Sequence, residues 1–356
     1  MSHYTGDLVL RNGDFSCIQD SVLDGDLYVL TGSVSFSNGC RVNGDIWAAG
    51  NVTNNSQNVH ITGSITTNGL VSMTANGGTS VGGNISAKGN VTLTNQGSST
   101  ATVGGNITSR NSISVGTSWT VTGVKTPNSP TDPVFDPTLA WLLGATKWID
   151  LDNTGWGTTY SATPVCNLVK NNPNPTIASL ISTAGTRLVL DFTSCTNNSI
   201  TIALPNMTVR RDVVIIVKPS ARLLVDLSTT IQDDGNKRQL FFVHSDASRA
   251  YSSGAPVPNC GNGNQADKFD ITANVDANLR VMFYTACGFT GNVSGSLSGQ
   301  FYTSESPDLR HASYTCKDMS WTGVLDQLGC KIKGAGGIST PTTPPQLAAL
   351  VYQSER

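Results

Sequence analysis

The chain has 356 residues, a net charge of −2 and 13% charged residues, about half the roughly 25% usual in soluble domains. The absence of a basic run disfavours nucleic acid, and the absence of a cationic amphipathic stretch disfavours a membrane surface. The length is enough for two domains or for one long solenoid. No segment approaches 18 consecutive apolar residues, so no membrane contact is expected within this chain. The opening MSHYTGDLVL also lacks the basic-then-apolar layout of a signal peptide.

From Gly6 the sequence repeats. Six units open on glycine: Gly6–Asp24, Gly25–Asn43, Gly44–Thr62, Gly63–Gly82, Gly83–Gly104 and Gly105–Thr122. Each begins with glycine, then Asp, Ser or Asn, then Leu or Ile. Each carries an aliphatic residue two or three positions before the glycine that follows the unit: Val22, Val42, Ile61, Val81, Val103 and Val121. Within a unit apolar and polar residues alternate over only a few positions, which predicts short strands with one face buried. Three such strands per unit, joined at Gly/Asn corners, describe one turn of a right-handed β-helix with about six N-terminal rungs over 6–122. Glycine suits the corners because it accepts positive φ and lets backbones approach closely. Leu8, Leu27, Ile46, Ile65, Ile85 and Ile107 are expected to form one inward column. Phe15, Val34, Val52, Val71, Val91 and Ile113 form a second, at a spacing of about 4.8 Å.

The segment 123–157 reads as a Pro-rich crossover followed by a short helix over PTLAWLLGATKWID, with Trp141, Leu142 and Trp148 on its buried face. That helix would cap the solenoid, since open strand edges invite polymerisation. Over 158–335 the runs RLVLDF, SITIAL, DVVIIV, RLLVDL, QLFFVH, KFDITANV and RVMFYT predict strands without a clean period. GNVSGSLSGQFYTS returns to the glycine-then-aliphatic cadence, so this region is expected to be a second, irregular β-helical domain. Residues 336–356 read as a Pro/Thr linker with a short helical or disordered tail.

Eight cysteines, Cys17, Cys40, Cys166, Cys195, Cys260, Cys287, Cys316 and Cys330, include no C-x-x-C pair, which gives a zinc site little support. Pairing neighbours in sequence joins Cys17 to Cys40, Cys166 to Cys195, Cys260 to Cys287 and Cys316 to Cys330. That is one scheme among 105. Disulfides imply an oxidising compartment.

The N-terminal repeats resemble bactofilin-type, polymer-forming β-helices. MFYTACGFTGNVSGSLSGQFYT followed by CKDMSWTGV resembles the C-terminal domain of β-helical bacterial surface proteins that carry a pilin-like N-terminal membrane helix. Cys287, Gly299, Gln300, Tyr302 and Gly323 carry that match, and Ala286 stands where those proteins place proline. The resemblance implies an extracellular, pilus- or envelope-associated protein, anchored by a segment absent from this chain.

Chemistry on a β-helix needs clustered carboxylates or a basic residue beside a metal-bound carboxylate. Asp233 and Asp234 with Arg210, Arg211 and Lys237 are the best such set, and a polar turn is the plainer explanation. His244, Ser245 and Asp246 have triad chemistry, but a triad is assembled from separate segments and adjacent strand residues face opposite ways, so a turn is the plainer explanation. Asp150 and Asp152 open a D-x-D-x-x-G stretch like a calcium loop, with Ser161 where the bidentate Glu belongs. Ca²⁺ there is the alternative to no cofactor at all. N-x-S/T triplets at Asn51, Asn84, Asn90 and Asn106 each follow a repeat glycine and read as corner asparagines. Asn206 and Asn292 carry further triplets. Turns of 18 to 22 residues without a sustained T-x-T ladder argue against ice binding. Trp47 follows the inward Ile46 and is expected to face outward, where an indole can stack on a sugar or another partner. For the other tryptophans burial is expected.

These readings converge on a non-enzymatic structural or adhesive protein of the bacterial cell surface or a pilus-like appendage. The alternatives are a carbohydrate-binding or carbohydrate-cleaving β-helix and a self-assembling bactofilin-like filament subunit. Expected partners are a surface glycan, a pilus protein, or a second copy meeting the solenoid end.

Overall fold

A computed structural model of the chain describes residues 2–130, 148–149, 151–161, 165–170, 175–247, 258–263, 265–273, 275–292, 294–304, 313–328, 330 and 349–352. Nearly all of their regular structure is β, 46% strand against 3% helix, with parallel strands stacked as a β-solenoid and one short helix. The chain divides into two compact units, Met1–Leu143 with Tyr352–Arg356, and Gly144–Val351.

In the first unit each turn contributes three short strands, and each strand pairs with its counterparts in the turns before and after. Leu8, Leu27, Ile46, Ile65, Ile85 and Ile107 occupy successive positions of one ladder. Phe15, Val34, Val52, Val71, Val91 and Ile113 do the same in a second. Both columns are those the repeat predicts, and their middle members are fully buried. Each buried aliphatic side chain contributes roughly 1.5–3 kcal/mol of transfer free energy. The third column starts one residue later than the sequence indicates. Leu23, not Val22, aligns with Val42 and then with Ile61, Val81, Val103 and Val121. Variation in turn length is absorbed between the second and third strands, as in 96–100, so the columns keep their register.

The corner glycines have a more specific cause than the sequence suggests. A Cβ on Gly44 would lie 2.2 Å from the carbonyl oxygen of Gly25, and one on Gly25 would lie 2.0 Å from that of Gly6. Neither Gly25 nor Gly44 has a left-handed backbone. Close approach of one turn to the next, not positive φ, excludes a side chain at these two corners. Nearest-neighbour stacking makes every turn depend on that contact.

The second unit repeats the plan with longer and less even turns. One row runs through Thr159–Ser161, Arg187–Asp191, Asp212–Val217, Gln239–His244, Arg280–Thr285, Ser296–Thr303 and Ser313–Cys316. A second row runs through Ser199–Ala203, Arg222–Asp226, Asp267–Asp270 and Phe289–Thr290. Met207–Val209 pairs with Ile231–Asp233 in a third. Strands such as Asp212–Val217 and Gln239–His244 are buried on both faces, which is why they read as unbroken apolar runs. On one face Phe242, Phe283 and Phe301 stack with centroids 5.2 and 5.3 Å apart. On the other, Trp148 packs on Tyr284 and Tyr302, while Trp156 and Trp321 pack on Phe241. The tyrosine hydroxyls accept the amides of Ile149 and Leu151.

Helix α1, Pro175–Ser182, has proline at its first position and buries Ile177 and Ile181 one turn apart. The helix expected near 137–150 lies outside the described residues except for Trp148 and Ile149, and with it Trp141 and Leu142. Trp148 is fully buried on irregular backbone. The expected helical or disordered tail is corrected at Ala349–Tyr352, a strand whose Ala349, Leu350 and Val351 pair with Phe301, Tyr302 and Thr303.

Four disulfides join Cys17 to Cys40, Cys166 to Cys195, Cys260 to Cys287 and Cys316 to Cys330, the sequence-local pairs. The first staples two consecutive turns of the first unit. Closing loops of 14 to 29 residues, each contributes roughly 3 kcal/mol in the chain-entropy model.

Gly44→Ala forces backbone against backbone, where no flexible side chain can yield. We expect it to lower stability by about 2 kcal/mol or more, read as the urea midpoint. An unchanged midpoint contradicts the packing described.

Candidate functional site

The polar residue after each repeat glycine has a structural task. Asp7 Oδ1 accepts the amide of Asp26 at 3.0 Å, Asp26 Oδ1 that of Asp45 at 2.8 Å, and Asp45 Oδ1 that of Ser64 at 2.8 Å. Ser64 Oγ then accepts from Asn84, Asn84 Oδ1 from Asn106, and Asn106 Oδ1 from Val124. A second corner repeats the device through Asp14, Ser33 and Asn51, and again at Asn90. The triplet asparagines Asn51, Asn84, Asn90 and Asn106 are thus rungs of side-chain-to-amide ladders. Asn206 does the same in the second unit by accepting from Thr230, while the amide of Asn292 donates to Asp270.

Trp47 lies in an outward row with Val9, Tyr28, Thr66 and Ser86. The indole is half-buried and parallel to the Tyr28 ring, with centroids 6.4 Å apart. Val9, Tyr28, Thr66 and Ser86 are themselves buried, so the exposed indole expected at Trp47 is corrected to a half-buried one beside a buried tyrosine. Burial pushes the Tyr28 hydroxyl pKa up, reinforced by the neighbouring Asp26 carboxylate. On another side Ser16, Ser35, Thr53, Ser72, Thr92 and Ser114 form one hydroxyl per turn in continuous register. Uneven turn length leaves this row intact. Trp119, Trp148, Trp156 and Trp321 are buried, as expected.

The acidic and basic candidates are committed to a loop. Asp233 accepts the amides of Gly235, Lys237 and Arg238, and Asp234 forms a two-pronged ion pair with Arg238. The Arg238 hydrogen bond holds the Asp234 carboxyl at about 2. Arg211 donates to the carbonyls of Thr183 and Ala184, and the amide of Arg210 donates to Ile181. Asp152 accepts from the amide and hydroxyl of Thr154, closing an Asx turn. Asp150 lies outside the described residues.

His244, Ser245 and Asp246 are buried at the end of a strand, not in a solvated turn. They do not form a triad. Asp246 accepts from the Trp148 indole at 2.9 Å and from the Asn259 amide at 3.1 Å. Ser245 Oγ has no partner among the described residues. His244 instead meets Asp267, a residue no sequence motif singles out. Its Nδ1 lies 2.7 Å from Asp267 Oδ2, and its Nε2 lies 3.1 Å from the carbonyl of Pro219. Asp267 also accepts from the Leu223 amide and the Thr285 hydroxyl, both at 2.7 Å. The Pro219 carbonyl can only accept, so Nε2 carries a proton, and one further proton is shared between Nδ1 and the Asp267 carboxyl. Burial alone lowers the histidine pKa, but the Asp267 hydrogen bond and charge, with the Pro219 carbonyl, raise it overall.

The motif strands FYTAC and GQFYT prove to be neighbours. Phe283 pairs with Phe301, Tyr284 with Tyr302 and Thr285 with Thr303. Comparison with protein-family models, curated proteins and solved structures returns no match.

Because folding raises the His244 pKa above its ordinary 6.5, its stabilising contribution is complete below that pH. It is lost as pH rises through the folded value. Urea midpoints measured across neutral to mildly alkaline pH should therefore fall, and His244→Gln should flatten that fall. An identical profile in the variant contradicts the assignment.

Proposed function

We propose that this chain is a non-enzymatic structural or adhesive protein of the bacterial cell surface or a pilus-like appendage. The observation that carries this reading is the use made of its polar side chains. Aspartates, serines and asparagines that elsewhere bind substrate here accept amides from the next turn. Such a scaffold keeps its form at the cost of few free polar groups, and its outward rows are left to meet a partner. Four disulfides fit maturation in an oxidising compartment. No helix among the described residues is long and apolar enough to cross a membrane.

The filament alternative is less well supported. Lys125 aligns over Ile107 in the inward aliphatic column and is exposed. A cation in that column disfavours the docking of another turn, as charges on natural edge strands do. At the corner Val124, 68% exposed, supplies no side-chain acceptor, so the amide ladder ends there. A surface glycan meeting the half-buried Trp47 is the expected partner chemistry for an adhesive role.

Labelling of intact source cells tests the reading. A membrane-impermeant amine reagent should modify the chain, and no thiol should titrate until it is unfolded and reduced. Protection from the reagent together with eight titratable thiols overturns it.

A further inference from the structure

The corner that buries His244 and Asp267 also contains a disulfide. The ligating atoms of His244, Asp267 and Cys287 lie within 4.8 Å of one another, and Cys287 is bonded to Cys260. His244, Asp267 and Cys287 are 1%, 0% and 2% exposed, and Cys260 is half-buried. Surface carboxylate clusters are commonplace, but charged groups are rarely buried unless paired or bound to metal.

We propose that this corner is a latent metal site, closed by the disulfide when oxidised and by a divalent cation of the Zn²⁺ or Co²⁺ class when reduced. Its donors are the sulfurs of Cys260 and Cys287, His244 Nδ1 and an oxygen of Asp267. Two thiolates with an imidazole and a carboxylate select a tetrahedral, borderline-soft ion over calcium or magnesium. No C-x-x-C spacing announces the set, because its members come from different turns.

The surroundings already match what a ligating histidine requires. A metal-bound imidazole generally donates its other N–H to a carbonyl or carboxylate, which fixes the tautomer. Here His244 Nε2 faces the Pro219 carbonyl and leaves Nδ1 for the ion. The Leu223 amide and Thr285 hydroxyl hold Asp267 in place. Nδ1 and Oδ2 stand 2.7 Å apart. Donors at about 2.0–2.1 Å from a tetrahedral ion sit roughly 3.3 Å apart, so a small opening admits the metal.

The two states interconvert by balanced steps. A dithiol reductant transfers two electrons and two protons to the Cys260–Cys287 bond and is itself oxidised to a disulfide. Metal binding then releases three protons, one from each thiol and the one shared between His244 Nδ1 and Asp267. That proton offsets the Asp267 charge in the oxidised chain, and the ion replaces it in the reduced one.

The test is anaerobic titration of the phosphine-reduced full chain with Co²⁺. The expected result is one equivalent bound, with tetrahedral ligand-field and thiolate charge-transfer absorption, and none bound by the oxidised chain. Cys316→Ser/Cys330→Ser should retain the bands and Cys260→Ser/Cys287→Ser should lose the thiolate band. His244→Gln should weaken binding by about tenfold or more. Cobalt should also slow alkylation of Cys260 and Cys287 in the otherwise unaltered chain, read by peptide mass spectrometry. Absence of the thiolate band in the reduced chain overturns the proposal. So does an undiminished band in Cys260→Ser/Cys287→Ser, or protection of other cysteines instead. A reduced chain that unfolds and is not refolded by cobalt counts equally against it.

Discussion

The amide-to-side-chain ladder at the corners is what the first unit depends on. Parallel strands supply backbone bonds along each face, but a solenoid must also turn, and at a turn the amides have no strand partner. Asp26, Asp45 and Ser64 resolve this by donating their amides to the side-chain oxygen one turn earlier. The bond requires the turns to approach so closely that Gly25 and Gly44 have no space for a Cβ. Glycine and the small polar residue after it are therefore one device. The aliphatic residue that follows points inward and fills the column.

That device explains what was legible in the sequence. Each turn solves the same steric problem with the same three residues, so the repeat, the turn boundaries and two inward columns could be read directly. The third column was displaced by one residue because Val22 and Leu23 are both aliphatic, and only pairing with Val42 decides between them. The second unit was legible as strands but not as register. Its principal sheet is covered on both faces, which erases the alternation that marks a half-buried strand. Helix α1 is short, and its Pro175, Ile177 and Ile181 are a faint signal beside the apolar strands that follow.

The candidate sites were legible to a smaller degree, because polar chemistry is settled by partners remote in sequence. Nothing in HSDASR indicates that His244 meets Asp267 rather than Asp246. Trp47 follows the alternation it was read from, yet its row includes the buried Tyr28 and Val9. Asp233 and Asp234 were recognised as a pair. Their loop uses them to bind its own amides and Arg238.

Native-state hydrogen exchange at the corner amides tests the account most directly. Asp26, Asp45, Ser64, Asn84 and Asn106 lie at corners, where amides lacking a partner exchange rapidly. Protection approaching that of the neighbouring strand amides is expected, since each donates to the preceding turn. Exchange at the rate of exposed loops, with the strands still protected, would contradict it.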